Sequence, residues 1–224
     1  MRILRFIGRL VVIFAIVSTV WVLLYRYVDP PVTVPMIRDA IAGRHVERTW
    51  VGLDRIAPAM PRAVIGAEDS TFCSHNGFDF NAMERAAVRN AASRKVRGGS
   101  TISQQTAKNA FLWPGRSYFR KGLEAWFTFF IENVWGKRRI MEVYLNIAEL
   151  GPGLYGVEAA AHRYFDTTAA RLTPSQASRI AAILPQPIER DAADLHGAVR
   201  RHARAIERRI GVVRRNEIDA CLTR

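Results

Sequence analysis

The chain has 224 residues, with 33 Lys and Arg against 20 Asp and Glu and a formal net charge of +13. Apolar residues make up 49% of it, which excludes a disordered or collagen-like chain. Two cysteines, Cys73 and Cys221, are too few for a disulfide scaffold and fit no zinc spacing; whether they pair across the fold is left open by the sequence. The basic balance points to an anionic partner: nucleic acid, anionic lipid or a phosphorylated substrate.

The first predicted element is a membrane anchor. Leu10 to Leu24 carries no charge, and the run extends to Val28 if Arg26 snorkels. Its 19 residues match the roughly 20 that cross a bilayer. Arg2, Arg5 and Arg9 precede it and no acid does, so the N-terminus is expected in the cytoplasm and the rest outside it. A cleaved signal peptide is the plainer alternative, but the run is long and no small-x-small cleavage site stands out. Asp29-Pro30-Pro31 ends the helix. The organisation is therefore read as a cytoplasmic tip and signal anchor over 1–28, a juxtamembrane linker over 29–44 and one domain over 45–224. Beyond the anchor there are 29 basic and 20 acidic residues, so the exterior part keeps a charge of +9.

Helical periodicity recurs along the rest of the chain, with no repeat and no alternating strand pattern. It predicts helices over Pro61–Asp69, Asn81–Ala92, Thr101–Phe111, Arg120–Trp135, Arg138–Ile147, Val157–Tyr164, Pro174–Leu184 and Gly197–Ile210. Breakers separate them at Pro114-Gly115, Gly151-Pro152-Gly153 and Pro185-Gln186-Pro187. Thr173-Pro174 reads as a helix cap followed by proline at the first position. An all-α domain follows.

Charge is unevenly spread. Arg85, Arg89, Arg94, Lys95, Arg97, Lys108, Arg116, Arg120 and Lys121 stand in a 39-residue stretch, 85–123, that holds no acid. Inside it lies Gly98-Gly99-Ser100-Thr101-Ile102-Ser103-Gln104-Gln105, a glycine turn opening a helix, with Thr101 and Gln104 at capping-box spacing. By itself this is an ordinary capped helix. With the surrounding cations it is expected to offer free backbone N–H groups to a phosphate or other oxyanion. A second basic group, Arg200, Arg201, Arg204, Arg208, Arg209, Arg214 and Arg215, reads as a solvated helix face or a contact for lipid headgroups.

Two carboxylates stand out. Glu68 and Asp69 close the apolar stretch Ala63–Ala67, a setting that raises a carboxyl's proton affinity and suits a general base. Adjacent helical residues do not share a face, so only one of them is expected to do chemistry. Glu124 opens the apolar helix Ala125–Ile131; taken alone it is a salt-bridge partner of Arg120 at i,i+4. His75 alone is a structural histidine.

Together these pieces resemble a known family. Glu68-Asp69-x-x-Phe72-x-x-His75-x-Gly77, then Gly98-Gly99-Ser100-Thr101-Ile102-Ser103-Gln104-Gln105-x-x-Lys108-Asn109, then Arg120-Lys121-x-x-Glu124, then Lys137-x-x-Ile140-Met141-Glu142-x-Tyr144-Leu145-Asn146 follow the order of the peptidoglycan glycosyltransferases, glycosyltransferase family 51. Gly151-x-Gly153-x-Tyr155-Gly156, Tyr164-Phe165 and Leu184-Pro185-x-Pro187 are similar to it as well. The likeness covers about residues 45–190. With no Ser-x-x-Lys and no Lys-Thr-Gly, the chain resembles the family's monofunctional members, which lack a penicillin-binding half.

The resemblance implies an all-α, lysozyme-like bilobed domain behind one transmembrane helix, in the inner membrane with its catalytic part in the periplasm. It implies polymerisation of lipid II into β-1,4 glycan, with inversion and loss of undecaprenyl pyrophosphate. Glu68 would be the general base and Glu124 would sit by the leaving group. Lys108, Arg116, Arg120, Lys121, Ser100, Gln104 and Gln105 would attend the pyrophosphate. Asp69, Phe72, His75, Gly98, Gly99, Thr101 and Asn109 would shape the cleft. A divalent metal, magnesium or manganese, would be held near Glu124, with no organic cofactor. Implied partners are lipid II and the growing glycan, membrane lipids, and cell-wall synthesis or division proteins, with no nucleic acid. Three positions depart from the pattern: Leu123 stands where a basic residue is frequent, Ser103 where Thr is common, and Gln176 where Glu is usual. The rivals are a lysozyme-like muramidase or lytic transglycosylase, which has no pyrophosphate to hold, and a non-catalytic anchored basic protein.

Overall fold

The computed structural model describes residues 2–91, 99–115 and 117–223. Arg94, Lys95, Arg97, Gly98 and Arg116, named above, lie outside the described residues, as does the side chain of Arg89. Ten α-helices, three single-turn 3-10 helices and one three-stranded sheet of two- and three-residue strands make up the regular structure there. The anchor is α1, Arg2–Tyr27, long and apolar enough to cross a membrane. α2 covers Val34–Ile41, α3 Ala59–Glu68, α4 Phe80–Ala91, α5 Ile102–Phe111, α6 Tyr118–Val134, α7 Gly136–Ile147, α8 Val157–Phe165, α9 Pro174–Ile183 and α10 Gly197–Arg215.

Local chemistry explains most of the ends. α5 and α9 both open with a complete capping box, Thr101 with Gln104 and Thr173 with Gln176. Gln176 therefore closes the box without the charge that a glutamate would bring. α6 starts before the expected Arg120 because Ser117 accepts the Arg120 N–H at 3.1 Å and caps the helix. α10 outruns its expected end because its apolar stripe, Ile206 and Ile210, continues to the buried Val213.

Two elements were not foreseen. α2 lies in the segment expected to be a linker. Met36 is 2% exposed and Asp39 fully buried, so this stretch is folded against the domain. The sheet has order β1-β3-β2: Glu47–Arg48 pairs parallel with Leu154–Tyr155, which pairs antiparallel with Glu149–Gly151. Its strands are too short to show an alternating pattern.

α9, α10 and α3 pack on one another; α5 packs on both α6 and α7. One continuous core joins them, with Phe72, Ile102, Tyr144 and Tyr155 fully buried. Asn146 clips the approach to α3 onto α7: its amide group accepts the Val51 N–H and donates to the Val51 carbonyl, both at 2.8 Å. The anchor docks on the domain through α6. Trp126 donates to the Ser18 hydroxyl at 3.1 Å, Trp135 to the Val22 carbonyl at 2.7 Å, and Trp21 meets the Phe111 ring edge-on at 5.3 Å. Cys73 and Cys221 are joined in a disulfide that ties the turn after α3 to the C-terminal turn. The exposed arginines of α10 form a solvated face, as read, except that Arg200 donates to the Leu195 carbonyl at 2.7 Å and Arg209 to the Gly66 carbonyl at 2.9 Å.

Candidate active site

α3 ends at Glu68, which is half-buried and faces α5. Gln105 donates its amide N–H to Glu68 Oε2 at 3.0 Å, and the buried Tyr144 hydroxyl reaches Gln105 Oε1 at 3.3 Å. Tyr144 thereby orients the amide so that its NH2 end meets the carboxylate. Burial pushes the Glu68 carboxyl above its usual range; the Gln105 hydrogen bond and the Lys108 charge pull back, while neighbouring Asp69 adds to the rise.

Asp69 points another way. His75 Nε2 sits 3.0 Å from both of its oxygens, and the Ile102 N–H donates to Oδ2 at 2.9 Å. The Gly77 N–H donates to His75 Nδ1 at 3.0 Å, which leaves Nε2 as the donor to Asp69. Thr101 donates its hydroxyl to the Gly77 carbonyl at 2.6 Å. Gly77 has φ +91°, and a Cβ there would come within 2.8 Å of Thr128. Gly99 lets the chain approach α4, where a Cβ would meet Ala86 at 3.1 Å.

The start of α5, expected to offer free N–H groups to a phosphate, is largely occupied by the protein's own groups. The Ile102 N–H is taken by Asp69, the Gln104 N–H by Thr101 and the Thr101 N–H by Gln104. The anion at that helix end is the protein's own Asp69 carboxylate. Gln104 is 2% exposed and works in the cap rather than on the cleft. Ser103, also buried, donates to Glu132, which pairs with Lys137 at 2.7 Å; the Lys137 ammonium lies 4.6 Å from the centre of the buried Phe72 ring. Phe72 and His75 thus belong to the packing behind the site. Ser100 is half-buried ahead of the cap.

Beyond Gln105, α5 carries Lys108 and Asn109 into a cavity whose far wall includes Arg120 and Trp113. Burial lowers the proton affinity of Lys108, and Arg120 and Lys121 lower it further, against the opposing pull of Glu124 and Glu149. Lys108 therefore stands within electrostatic reach of both Glu68 and Glu124. Glu124 is 3% exposed; Arg120 pairs with one of its oxygens at 3.0 Å and Lys121 with the other. Arg120 Nε is buried without a hydrogen-bond partner among the described residues. Three cations, Arg38, Lys108 and Arg120, line the cavity with one carboxylate, Glu149, and Glu124 is held behind Arg120.

These residues do not fit a divalent metal. Both Glu124 oxygens face cations, and no three acidic, histidine or cysteine side chains converge among the described residues. A doubly charged ion there would meet Arg120, Lys121 and Lys108 before it met donors.

A family model described as Transglycosylase matches residues 36–214. The chain belongs to the transglycosylase family. It is 54% identical over 201 residues to the biosynthetic peptidoglycan transglycosylase of Caulobacter vibrioides, covering 90% of this chain and 88% of that one. It is 51% identical over 189 residues to the protein of that name from Bdellovibrio bacteriovorus, covering 82% and 76%. With the one from Rhodospirillum centenum it shares 45% over 222 residues, 99% and 96% of the two chains. The chain is thus a glycosyltransferase of peptidoglycan synthesis with the lysozyme-like all-α domain of the transglycosylases and an N-terminal apolar helix.

Two residues of the cavity wall carried no signal in the sequence. Arg38 lies in the stretch read as a linker, and Glu149 is a lone acid after α7.

Proposed function

We propose that this transglycosylase polymerises lipid II at the outer face of the inner membrane, with Glu68 as general base. Glu68 takes the proton from the acceptor's sugar 4-hydroxyl as that oxygen attacks the anomeric carbon of the donor. The bond to the diphosphate breaks on the opposite side, so the α-linked donor gives a β-1,4 linkage and undecaprenyl pyrophosphate departs. Lys108 and Arg120 stabilise the charge that develops on the diphosphate. Glu124 holds Arg120 and Lys121 in place beside it. No step passes through a metal.

The observation that carries this reading is the pairing of opposites along one stretch of α5. Gln105 holds a half-buried carboxylate of raised proton affinity, and one turn later Lys108 stands in a cationic cavity. A general base works best with a proton affinity near the working pH, and a departing diphosphate needs fixed cations. A glycan hydrolase has no use for the second half.

Topology follows from the same chemistry. Arg2, Arg5 and Arg9 favour a cytoplasmic N-terminus, and a Cys73–Cys221 disulfide suits the oxidising periplasm. Tyr118, Phe119 and Phe129 expose large rings on α6, the helix that receives the anchor, which suits contact with lipid.

The test is incubation of purified full-length protein with lipid II, read by gel separation of glycan strands. Growth of polymer in the wild type and its loss in Glu68→Gln, with folding kept, is expected. Shortening of finished glycan, or normal polymerisation by Glu68→Gln, overturns the reading.

A further inference from the structure

α2, the helix between the anchor and the rest of the domain, supplies one wall of the cavity around Lys108. Arg38 lines that cavity with Lys108, Arg120 and Glu149. A buried carboxylate aims it. Asp39 is fully buried and accepts from Arg38 Nε at 2.9 Å and Nη2 at 2.7 Å, from Arg44 at 3.0 Å and from the Tyr155 hydroxyl at 2.8 Å. Burial works against the Asp39 charge, but Tyr155, Arg38 and Arg44 outweigh it and hold the carboxyl below its usual range. A guanidinium has five N–H groups, and Asp39 engages two of them. The Arg38 side chain is 41% exposed, and its Nη1 has no partner among the described residues, so a cation with donors to spare is fixed at the cavity wall.

A second feature sits beside it. Glu149 Oε1 is buried without a hydrogen-bond partner among the described residues, 3.7 Å from Arg38 Nη2. Burial and the neighbouring Asp39 charge raise the proton affinity of Glu149, against the pull of Arg38 and Arg44. Arg38 offers its Nη1 donors to an anion at the cavity wall, and the Glu149 side chain, 19% exposed, offers an acceptor next to that anion. A glycosyl diphosphate can use both, and a bare diphosphate only the first.

We propose that Arg38 is a substrate-contacting residue that binds the diphosphate, and that Glu149 accepts a hydrogen bond from the sugar attached to it. The proposal rests on the reading of the Lys108 cavity as the diphosphate site. It makes the helix after the anchor part of the active site as well as part of the tether. Asp39 and Tyr155 are then positioning residues that act through Arg38.

The experiment uses full-length protein in detergent micelles with two probes: lipid II for kinetics and inorganic pyrophosphate for binding by calorimetry. Removal of one charge-assisted hydrogen bond weakens binding by about tenfold or more. Arg38→Ala is expected to raise KM for lipid II and Kd for pyrophosphate by that factor, with Arg38→Lys recovering part of both. Glu149→Ala is expected to raise KM for lipid II without weakening pyrophosphate binding. Glu149→Gln keeps an acceptor and should keep KM. Arg201→Ala, on the solvated face of α10, serves as the control that changes neither. Wild-type KM and Kd in Arg38→Ala overturn the assignment of Arg38, whatever its melting temperature. Loss of pyrophosphate binding in Glu149→Ala overturns the sugar contact. A wild type that binds pyrophosphate through Arg38 yet does not polymerise lipid II overturns the proposed function and leaves Arg38 an anion ligand.

Discussion

The disulfide offers the sharpest test of how the site is held. Cys73 lies between Asp69 and His75, in the turn that clamps the start of α5, and Cys221 lies in the last turn of the chain. The bond closes a loop of 148 residues. In the chain-entropy account, a closure of that length restricts the unfolded chain by about 5 kcal/mol. For a domain of this size each kcal/mol corresponds to about 2–4 °C, so its loss should lower the melting temperature by about 10–20 °C. The C-terminal turn keeps two other ties, Arg62 to Asp219 at 2.6 Å and Arg138 to the Leu222 carbonyl at 2.9 Å, so it should stay docked at moderate temperature. The assay is thermal unfolding of full-length protein in detergent, oxidised and with dithiothreitol, alongside a Cys73→Ser/Cys221→Ser variant that cannot re-form the bond. Reduced wild type and the double variant should melt together, well below oxidised wild type. Oxidised and reduced protein melting within about 2 °C of each other would refute the reasoning, because that gap corresponds to 1 kcal/mol or less.

Further outcomes follow from the hydrogen bonds around Glu68. The Glu68 carboxyl binds its proton more tightly in the folded protein, so the stability it contributes is present below its ordinary value of 4.5 and is lost as pH rises through the folded value. Glu68→Gln should therefore melt above wild type at neutral pH, with the gap closing in acid; a constant gap would remove the titration as its cause. Gln105→Leu deletes the bond that pulls the proton affinity of Glu68 down, so the acidic limb of the pH–rate profile should move to higher pH, measured with lipid II under kcat/KM conditions. Asp69→Ala strips His75 and the Ile102 N–H of their shared acceptor and should lower stability by about 2–3 kcal/mol in denaturant titrations, with loss of turnover. Asn146→Ala leaves the Val51 N–H and carbonyl unpaired and should cost about 2 kcal/mol or more in the same measurement.

Helices with a strong periodic stripe or a capping box were legible in the sequence, because both signals are local. α5 starts at its box, and α9 starts one residue after its threonine cap. The anchor was legible from composition alone. α2 was not: its eight residues span about two turns, and what folds them is Asp39 finding Tyr155, 116 residues away. The N-terminal end of α5 shows the opposite failure. Its residues carry the local signature of an anion site, and the structure places an anion there, but one from the chain itself. Asp69 sits 33 residues before Ile102, and no local pattern says which carboxylate fills a helix end. The Cys73–Cys221 pairing was open for the same reason.

The two non-local surprises bear on how a membrane substrate meets a base. α1 does not merely tether the domain, because Ser18 and Val22, well inside the apolar helix, accept hydrogen bonds from Trp126 of α6 and from Trp135, which caps its end. α6 also carries Arg120 and Glu124, and α5, stacked on it through Phe111 and Phe127 at 4.5 Å, carries Gln105 and Lys108. The helix long and apolar enough to cross a bilayer is thus one packing layer from the cationic cavity. A lipid-linked diphosphate is confined to the plane of its headgroups, so a rigid anchor fixes the height at which the cavity meets it. A freely hinged tether would leave that height to chance. α2 adds a second constraint, because Asp39 and Tyr155 pin the chain to β3 about a dozen residues after α1 ends. Loss of the Trp126 and Trp135 indoles should for this reason lower turnover on lipid II in bilayers more than on lipid II in detergent micelles, where no plane sets the height.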